Sequence, residues 1–430
     1  MNVLLVGNGG REHAIAWRLV QDESIRVTCV PGNGGTATLP RCQNLALTQD
    51  DFEGIARFCT VNNVALVVIG PEIPLAAGIT DFLQRKNIKV FGPNQAGAQI
   101  EASKAWAKDL MQVANIPTAK SAVFTDLPSA RAYVEREGAP IVIKADGLAA
   151  GKGVTVAMTV TEAIAALEGC FSGLFGAAGE QVVIEECLVG EEVSVLAVTD
   201  GETILPLLPA QDHKRIGEGD TGENTGGMGV YAPAPIATPD IMAQVQTQVL
   251  EPAIAELKRR GIQYCGILYA GLMISPTGKI NVIEFNCRFG DPETQAILPL
   301  LETPLHEIML ACIEGRLSTF GPLRWKSEVS ACVVAASGGY PGAYEKGKAI
   351  TGISQAEAQG SLVFHAGTDQ KRDALVTDGG RVLGVGAIAP TFDAAFSKAY
   401  TAIAAIQFEG IYYRRDIGHR VRSASSIKLN

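Results

Sequence analysis

Residues 282–295 read VIEFNCRFGDPETQ. The stretch opens as an apolar strand, yet it carries a carboxylate, an amide and a guanidinium at alternate positions, Glu284, Asn286 and Arg288. Side chains of a strand alternate between its faces, so Ile283 and Phe285 are expected to enter a core while Glu284 and Asn286 share the other face. Two neighbouring oxygen ligands suit a hard divalent cation such as magnesium, which takes few protein ligands and completes its shell with phosphate oxygens and water. Arg288 lies beyond them, where a guanidinium would stabilise negative charge developing on a transferred phosphoryl or acyl oxygen. A solvated strand at a sheet edge would account for Glu284 but not for the whole succession.

Working outward, the first hundred residues alternate apolar runs (NVLLVG, IRVTCV, VALVVIG, IKVFG) with helical patterns. That alternation predicts right-handed βαβ units and a doubly wound parallel sheet ending near Pro93. A helix is expected from about Ala96 to Ala114, followed by short strands around a glycine-rich turn. Longer strands start at Glu192, and a fresh set of short strands begins after GPLRWKSE. The expected division is an N-terminal doubly wound domain over 1–102, a two-part core over 103–326 with a mobile subdomain at about 120–190, and a C-terminal mixed α/β domain over 327–430.

Composition narrows the function. The 430 residues are enough for roughly three domains. A formal net charge of −9 argues against a general electrostatic grip on nucleic acid or anionic lipid, so any anion must be held locally. Nine cysteines, an odd number with no C-x-x-C pair, indicate neither a disulfide framework nor a zinc ribbon. With no basic n-region before NVLLVG and no long apolar run, a cytoplasmic protein is expected.

Three glycine-rich or charged stretches invite a ligand. In VLLVGNGGREHA, Gly7, Gly9 and Gly10 sit between a strand and a helix, where backbone N–H groups can cradle an anion. The dinucleotide pattern is broken, however: Glu12 replaces its third glycine and the second strand ends without an acidic residue. A glycine turn needed only for packing is an equal reading. KADGLAAGKGV, Lys144 to Val154, lacks the spacing and hydroxyl of a Walker loop but permits a flap over phosphates; alone, it would read as a surface hairpin. Lys104 and Lys144 could converge on one triphosphate. VIEECLVGEE offers backbone at Glu186 and Leu188 for an adenine edge and Glu192 for a ribose hydroxyl, while Glu185 and Glu191 read as a surface acidic cluster.

Taken in order, GNGGREHA, KADGLAAGKGV, EECLVGEEVSV, DHKRIGEGDTGENTGGMG, EFNCRFGDPETQ and RRDIGHR resemble the phosphoribosylamine-glycine ligases of purine biosynthesis, members of the ATP-grasp superfamily. The resemblance runs over essentially the full length. It implies that ATP activates glycine as glycyl phosphate, which the amine of 5-phosphoribosylamine then attacks, with Mg2+ or Mn2+ as cofactor. By the same resemblance Lys104, Lys144 and the flap residues Gly147, Gly151, Lys152 and Gly153 face the ATP phosphates. Glu186 and Leu188 face the adenine, Glu192 the ribose, and Glu284 and Asn286 hold the metal. Arg288, Lys144 and Asp212 are the expected catalytic residues. Asp212, Lys214, Asn224, Gly226, Gly227, Met228 and Gly229 would line the glycine and phosphoribosylamine pocket, completed by Gly9, Gly10 and Arg11.

Sister ATP-grasp ligases hold the ribose with an acidic N-domain loop and the 5′-phosphate with a C-terminal arginine pair, which points to Glu72 and to Arg414 and Arg415; a surface charge pair is the plainer reading of the latter. One departure stands out: many relatives carry a further acidic metal ligand on the preceding strand, but ILYAGLMIS has none. Small-molecule substrates are implied, with no nucleic acid or membrane, and neighbouring purine-pathway enzymes are candidate partners. The rivals are another ATP-grasp enzyme such as a biotin carboxylase, an NAD-dependent dehydrogenase, and a catalytically silent nucleotide-binding scaffold.

Overall fold

The computed structural model describes residues 1–148, 153–372 and 374–422. At the N-terminus, β1 (Asn2–Gly7), β2 (Arg26–Pro31), β3 (Cys42–Asn44), β4 (Leu66–Ile69) and β5 (Val90–Phe91) form a sheet in the order β3-β2-β1-β4-β5. Every pairing is parallel. Strands β1 and β4 are apolar throughout because helices cover both faces, the expected doubly wound arrangement.

The expected single helix after Pro93 is two helices, Gln95–Ala102 and Lys104–Val113, broken at Ser103. Ser103 is extended, and its side chain accepts from the Trp106 N–H as an N-cap, a role that ends one helix and starts the next. Next comes a four-stranded sheet of β6 (Ser121–Phe124), β7 (Ile141–Ala145), β8 (Val154–Ala157) and β9 (Val182–Glu186), ordered β6-β9-β7-β8 around its own apolar core.

The chain continues through β10 (Glu191–Thr199), β11 (Ile204–Pro206), β12 (Gln211–Asp212), the hairpin β13 (Arg215–Gly217) and β14 (Thr221–Asn224), and β15 (Gly229–Ala232). It goes on to β16 (Gly266–Ile274), β17 (Ile280–Asn286), β18 (Val329–Ala336), β19 (Leu362–His365), the hairpin β20 (Thr368–Lys371) and β21 (Ala374–Thr377), and β22 (Arg381–Ala389). A sheet β11-β10-β16-β17 forms the floor of the central region. The last five-stranded sheet runs β12-β15-β18-β22-β19, so it takes two strands from before residue 240 and three from after residue 328. The segment 211–232 is thereby bound into the C-terminal layer.

One register detail bears on the site. Strand β17 pairs with β16 as Gly271↔Glu284 and then Leu272↔Val282, which leaves Ile283 as an extra residue in a β-bulge. Strict alternation therefore fails: Val282 and Phe285 enter the core, whereas Ile283 is half-buried and faces the cleft together with Glu284. The expectation that Ile283 is a core residue is corrected by that bulge.

Candidate active site

Between the β6–β9 sheet, the β10–β17 floor and the N-terminal sheet lies a cleft with a cavity of about 600 Å³. That size suits a nucleotide-scale ligand. Lys104, at the start of its helix, reaches in and donates to the Gly147 carbonyl at 2.8 Å. Lys144, at the end of β7, is only 5% exposed; its Nζ donates to the Ile283 carbonyl at 3.1 Å and pairs with Glu185 at 3.0 Å. Glu185 also pairs with Lys108 at 3.3 Å. It is buried between the two ammonium groups, so the reading of Glu185 as part of a surface cluster is corrected.

Glu186, Cys187 and Leu188 edge the cleft, with Glu192 at its rim, and Gly147 and Gly153 lie at the two roots of the proposed flap. Gly151 and Lys152 fall outside the described residues. The Glu186 carboxylate accepts from the Lys120 N–H at 2.8 Å, so its side chain is spent on holding this edge.

On the floor, Glu284, Asn286 and Arg288 all line the cavity. Burial would raise the Glu284 carboxyl, but Lys214, Lys144, Lys104 and Arg288 outweigh it and hold the group below the ordinary glutamate range. Burial lowers the Lys104 ammonium, a tendency that Glu284 and Asp146 resist. Arg288 is gripped by two carboxylates, Glu101 at 2.8 Å and Glu72 at 3.3 Å, and its Nη2 donates to Asn286 Oδ1 at 3.4 Å. Burial opposes the Arg288 charge, yet those two acids carry its pKa well above the usual value. Despite the overall negative charge of the chain, the centre of the cleft is therefore cationic.

Further along, Asp212 and Lys214 form an ion pair at 3.2 Å, and Asn224, Thr225 and Gly226 complete the wall. Met228 is fully buried in the core, and Gly229 opens β15 against Val333, so these two build the wall without facing the cavity. Gly227 packs beside Asp212 with φ +112, a conformation that favours glycine.

The N-terminal glycine loop is explained by one side chain. The Glu12 carboxylate accepts from the Gly9 N–H at 2.6 Å and from the Arg11 guanidinium. A Cβ at Gly7, Gly9 or Gly70 would lie within 2.8 Å of Glu12 atoms. The space that a pyrophosphate would need is filled by the chain's own carboxylate, which removes the dinucleotide reading. Arg11 and Glu72 do line the cleft, whereas Gly9 and Gly10 do not; Gly10 instead abuts Gln295.

The expected C-terminal arginine pair is corrected. Arg414 is 0% exposed, and its guanidinium is taken by Asp220, Asp416 and the Arg215 carbonyl, while Arg415 points away as an exposed residue. Neither lines the cavity. The C-terminal arginine that does is Arg381, which donates to the Gly226 carbonyl at 2.6 Å and the Asp291 carbonyl at 2.7 Å. Sequence reasoning missed Arg381, together with Glu101, Asp291 and Glu293. The last two stand inside the quoted GDPETQ motif and could have been singled out there; Glu101 and Arg381 carry no local signal.

Three family models match in order: the phosphoribosylglycinamide synthetase N domain at residues 1–101, its ATP-grasp (A) domain at 102–294 and its C domain at 330–420. The chain belongs to the phosphoribosylamine-glycine ligase family. It is 67% identical over 425 residues to the phosphoribosylamine-glycine ligase of a Nostoc species, covering 98% of this chain and 100% of that one. The ligase of a Synechocystis species is 56% identical over 421 residues, with 98% and 100% covered. Among solved structures, the family member from Thermotoga maritima superposes with a TM-score of 0.84 at 34% identity, covering 97% of this chain and 100% of that one. A Campylobacter jejuni biotin carboxylase matches with a TM-score of 0.68 over 96% and 92% of the two chains, but at 13% identity, so it shares the ATP-grasp fold alone.

Proposed function

We propose that this chain joins glycine to 5-phosphoribosylamine at the expense of ATP, giving glycinamide ribonucleotide, ADP and phosphate. The observation that carries the reading is the convergence of Lys104, Lys144, Glu284, Asn286 and Arg288 on one cavity in a member of this ligase family. In the first step a glycine carboxylate oxygen attacks the γ-phosphorus, the bond to ADP breaks and glycyl phosphate forms. In the second, the amine attacks the acyl carbon, the C–O bond to phosphate breaks and the nitrogen loses its proton.

The residues supply positioning and charge rather than a nucleophile. Lys104 and Lys144 approach the phosphates from the flap side, and Arg288, fixed by Glu101 and Glu72, meets the charge that develops on the transferred group. Closure of the flap over this cleft would exclude water, which hydrolyses an acyl phosphate. The backbone at Glu186 and Leu188 would take the adenine, and Glu192 at the rim the ribose. Glu72 and Arg11 lie on the opposite wall, toward the acceptor.

Glu284 and Asn286 fit a magnesium or manganese ion: a carboxylate held ionised by four cationic neighbours, and an amide oxygen on the same strand. Such an ion, when bound, neutralises phosphate oxygens of the nucleotide. Among the described residues no group of three or more His, Cys, Asp or Glu converges, which is consistent with a hard ion held by few side chains. No helix of the described residues is long and apolar enough to cross a membrane, and a cytoplasmic setting beside other purine-pathway enzymes fits soluble substrates.

The test supplies ATP, magnesium, glycine and freshly generated phosphoribosylamine. One ADP and one glycinamide ribonucleotide per turnover are expected. ATP cleavage that depends on bicarbonate and ignores glycine would replace this reading with a carboxylase.

A further inference from the structure

Two buried acids at the foot of the cleft have no part in the steps above. The Asp212 side chain is only 3% exposed; its Oδ2 pairs with Lys214, but its Oδ1 has no hydrogen-bond partner. Glu293 is equally buried, and its Oε1 accepts from Tyr269 at 2.7 Å and Ser194 at 2.9 Å. Both line the main cavity, and a side lobe of about 10 Å³ bounded by Asp212, Ser194, Lys214 and Tyr269 adjoins it. That lobe has room for about one water-sized group. A buried carboxylate oxygen left unpaired costs free energy that a bound donor recovers. Burial raises both acids toward neutrality, each feeling the other's charge, so a cation placed between them would be welcomed by both.

We propose that Asp212, backed by Glu293, binds the α-ammonium group of the amino-acid substrate. This rests on the ligase reading and deepens it. The reaction contains two amines, and chemistry separates them. The acceptor amine must be uncharged to attack an acyl phosphate, and a carboxylate that binds its ammonium form would suppress that attack. Glycine's amine, in contrast, must stay out of the reaction while its carboxyl group is activated. Held as an ammonium by Asp212, it keeps its lone pair protonated and cannot attack a second acyl phosphate.

The experiment is steady-state kinetics of the full chain and of Asp212→Asn, which keeps the shape and removes the charge. The expected result is a KM for glycine raised ~10- to 100-fold, the loss of one charged hydrogen bond, with the KM for ATP and for phosphoribosylamine within threefold. A rise confined to phosphoribosylamine, or a fall in kcat with every KM unchanged, overturns the proposal. Should Asp212→Asn not fold, the wild-type enzyme decides through two competitors. Methylammonium competing with glycine while glycolate does not supports the site; glycolate competing as well as glycine overturns it. A wild-type enzyme that never forms glycinamide ribonucleotide would instead refute the ligase reading, so the two failures are distinct.

Discussion

The Glu101 carboxylate holds Arg288 at 2.8 Å through Oε1 and takes the Cys287 backbone N–H at 2.8 Å through Oε2. One buried acid thus fixes both the side chain of the cleft arginine and the backbone just before it. Glu101→Gln leaves an amide oxygen for Cys287 but removes the charge that faces Arg288. With the guanidinium held only by Glu72 at 3.3 Å, kcat should fall about 10- to 100-fold, on the order of 1.4–2.8 kcal/mol of transition-state stabilisation. The KM for ATP should stay within twofold, because Arg288 acts on the transferred group. Kinetics indistinguishable from wild type would show that Glu101 does not position Arg288.

A second clasp joins the phosphate lysine to the flap root. Asp146 accepts from the Ser103 hydroxyl at 3.0 Å and from the Ala105 N–H at 3.1 Å, while Lys104 donates to the adjoining Gly147 carbonyl. Asp146 thereby serves the free N–H groups at the start of the Lys104 helix. Asp146→Ala should cost about 1 kcal/mol of stability, as the loss of a cap does, and should raise the KM for ATP several-fold without changing that for glycine. Chemical denaturation and ATP titration read the two effects separately, and an unchanged ATP KM would detach Asp146 from nucleotide binding.

What could be read from the residues alone divides along sequence distance. The parallel N-terminal sheet was legible because each strand and helix declares itself within a dozen residues. Glu284, Asn286 and Arg288 were legible because they share one short stretch. The bulge at Ile283 was not, since it depends on the register against Gly271 rather than on the β17 sequence. Nor was Glu101, whose partner is remote in the chain, or the contrast between Arg414 and Arg381: two arginines in unremarkable local settings, of which one is neutralised by Asp220 and Asp416 and the other reaches the cleft. Pairing over such distances is decided by packing.

The glycine loop makes a prediction about stability rather than catalysis. A Cβ at Gly70 would stand 2.1 Å from Glu12 Oε1, and the Glu12 carboxylate cannot swing away without abandoning the Gly9 N–H. Gly70→Ala should therefore destabilise the chain by about 1–3 kcal/mol, the usual cost of overpacking, seen as a lower urea midpoint. NADH fluorescence should show no binding to the wild-type protein at millimolar concentration. Saturable NADH binding would mean that Glu12 can vacate the loop.

Acid should loosen the contact between the N-terminal and C-terminal regions. His13 Nδ1 accepts from the His365 backbone N–H at 2.7 Å, and His213 Nε2 accepts from the Gly418 N–H at 3.1 Å, so both rings are held as neutral acceptors. Burial lowers His13 well below the ordinary value and His213 to about 3, with Arg420 and Arg414 adding to the latter; burial takes His365 down to about 4. The unfolded chain, with histidines near 6.5, binds more protons than the folded one at any pH between those values. Stability is thus fully present above pH 6.5 and is lost as pH falls toward the folded values, by up to about 1.4 kcal/mol per pH unit for each ring. Urea unfolding at pH 7 and at pH 5 measures this slope. His13→Gln, which keeps an acceptor that does not titrate, should reduce the slope by about one proton, and an unaltered slope would place the titrating groups elsewhere.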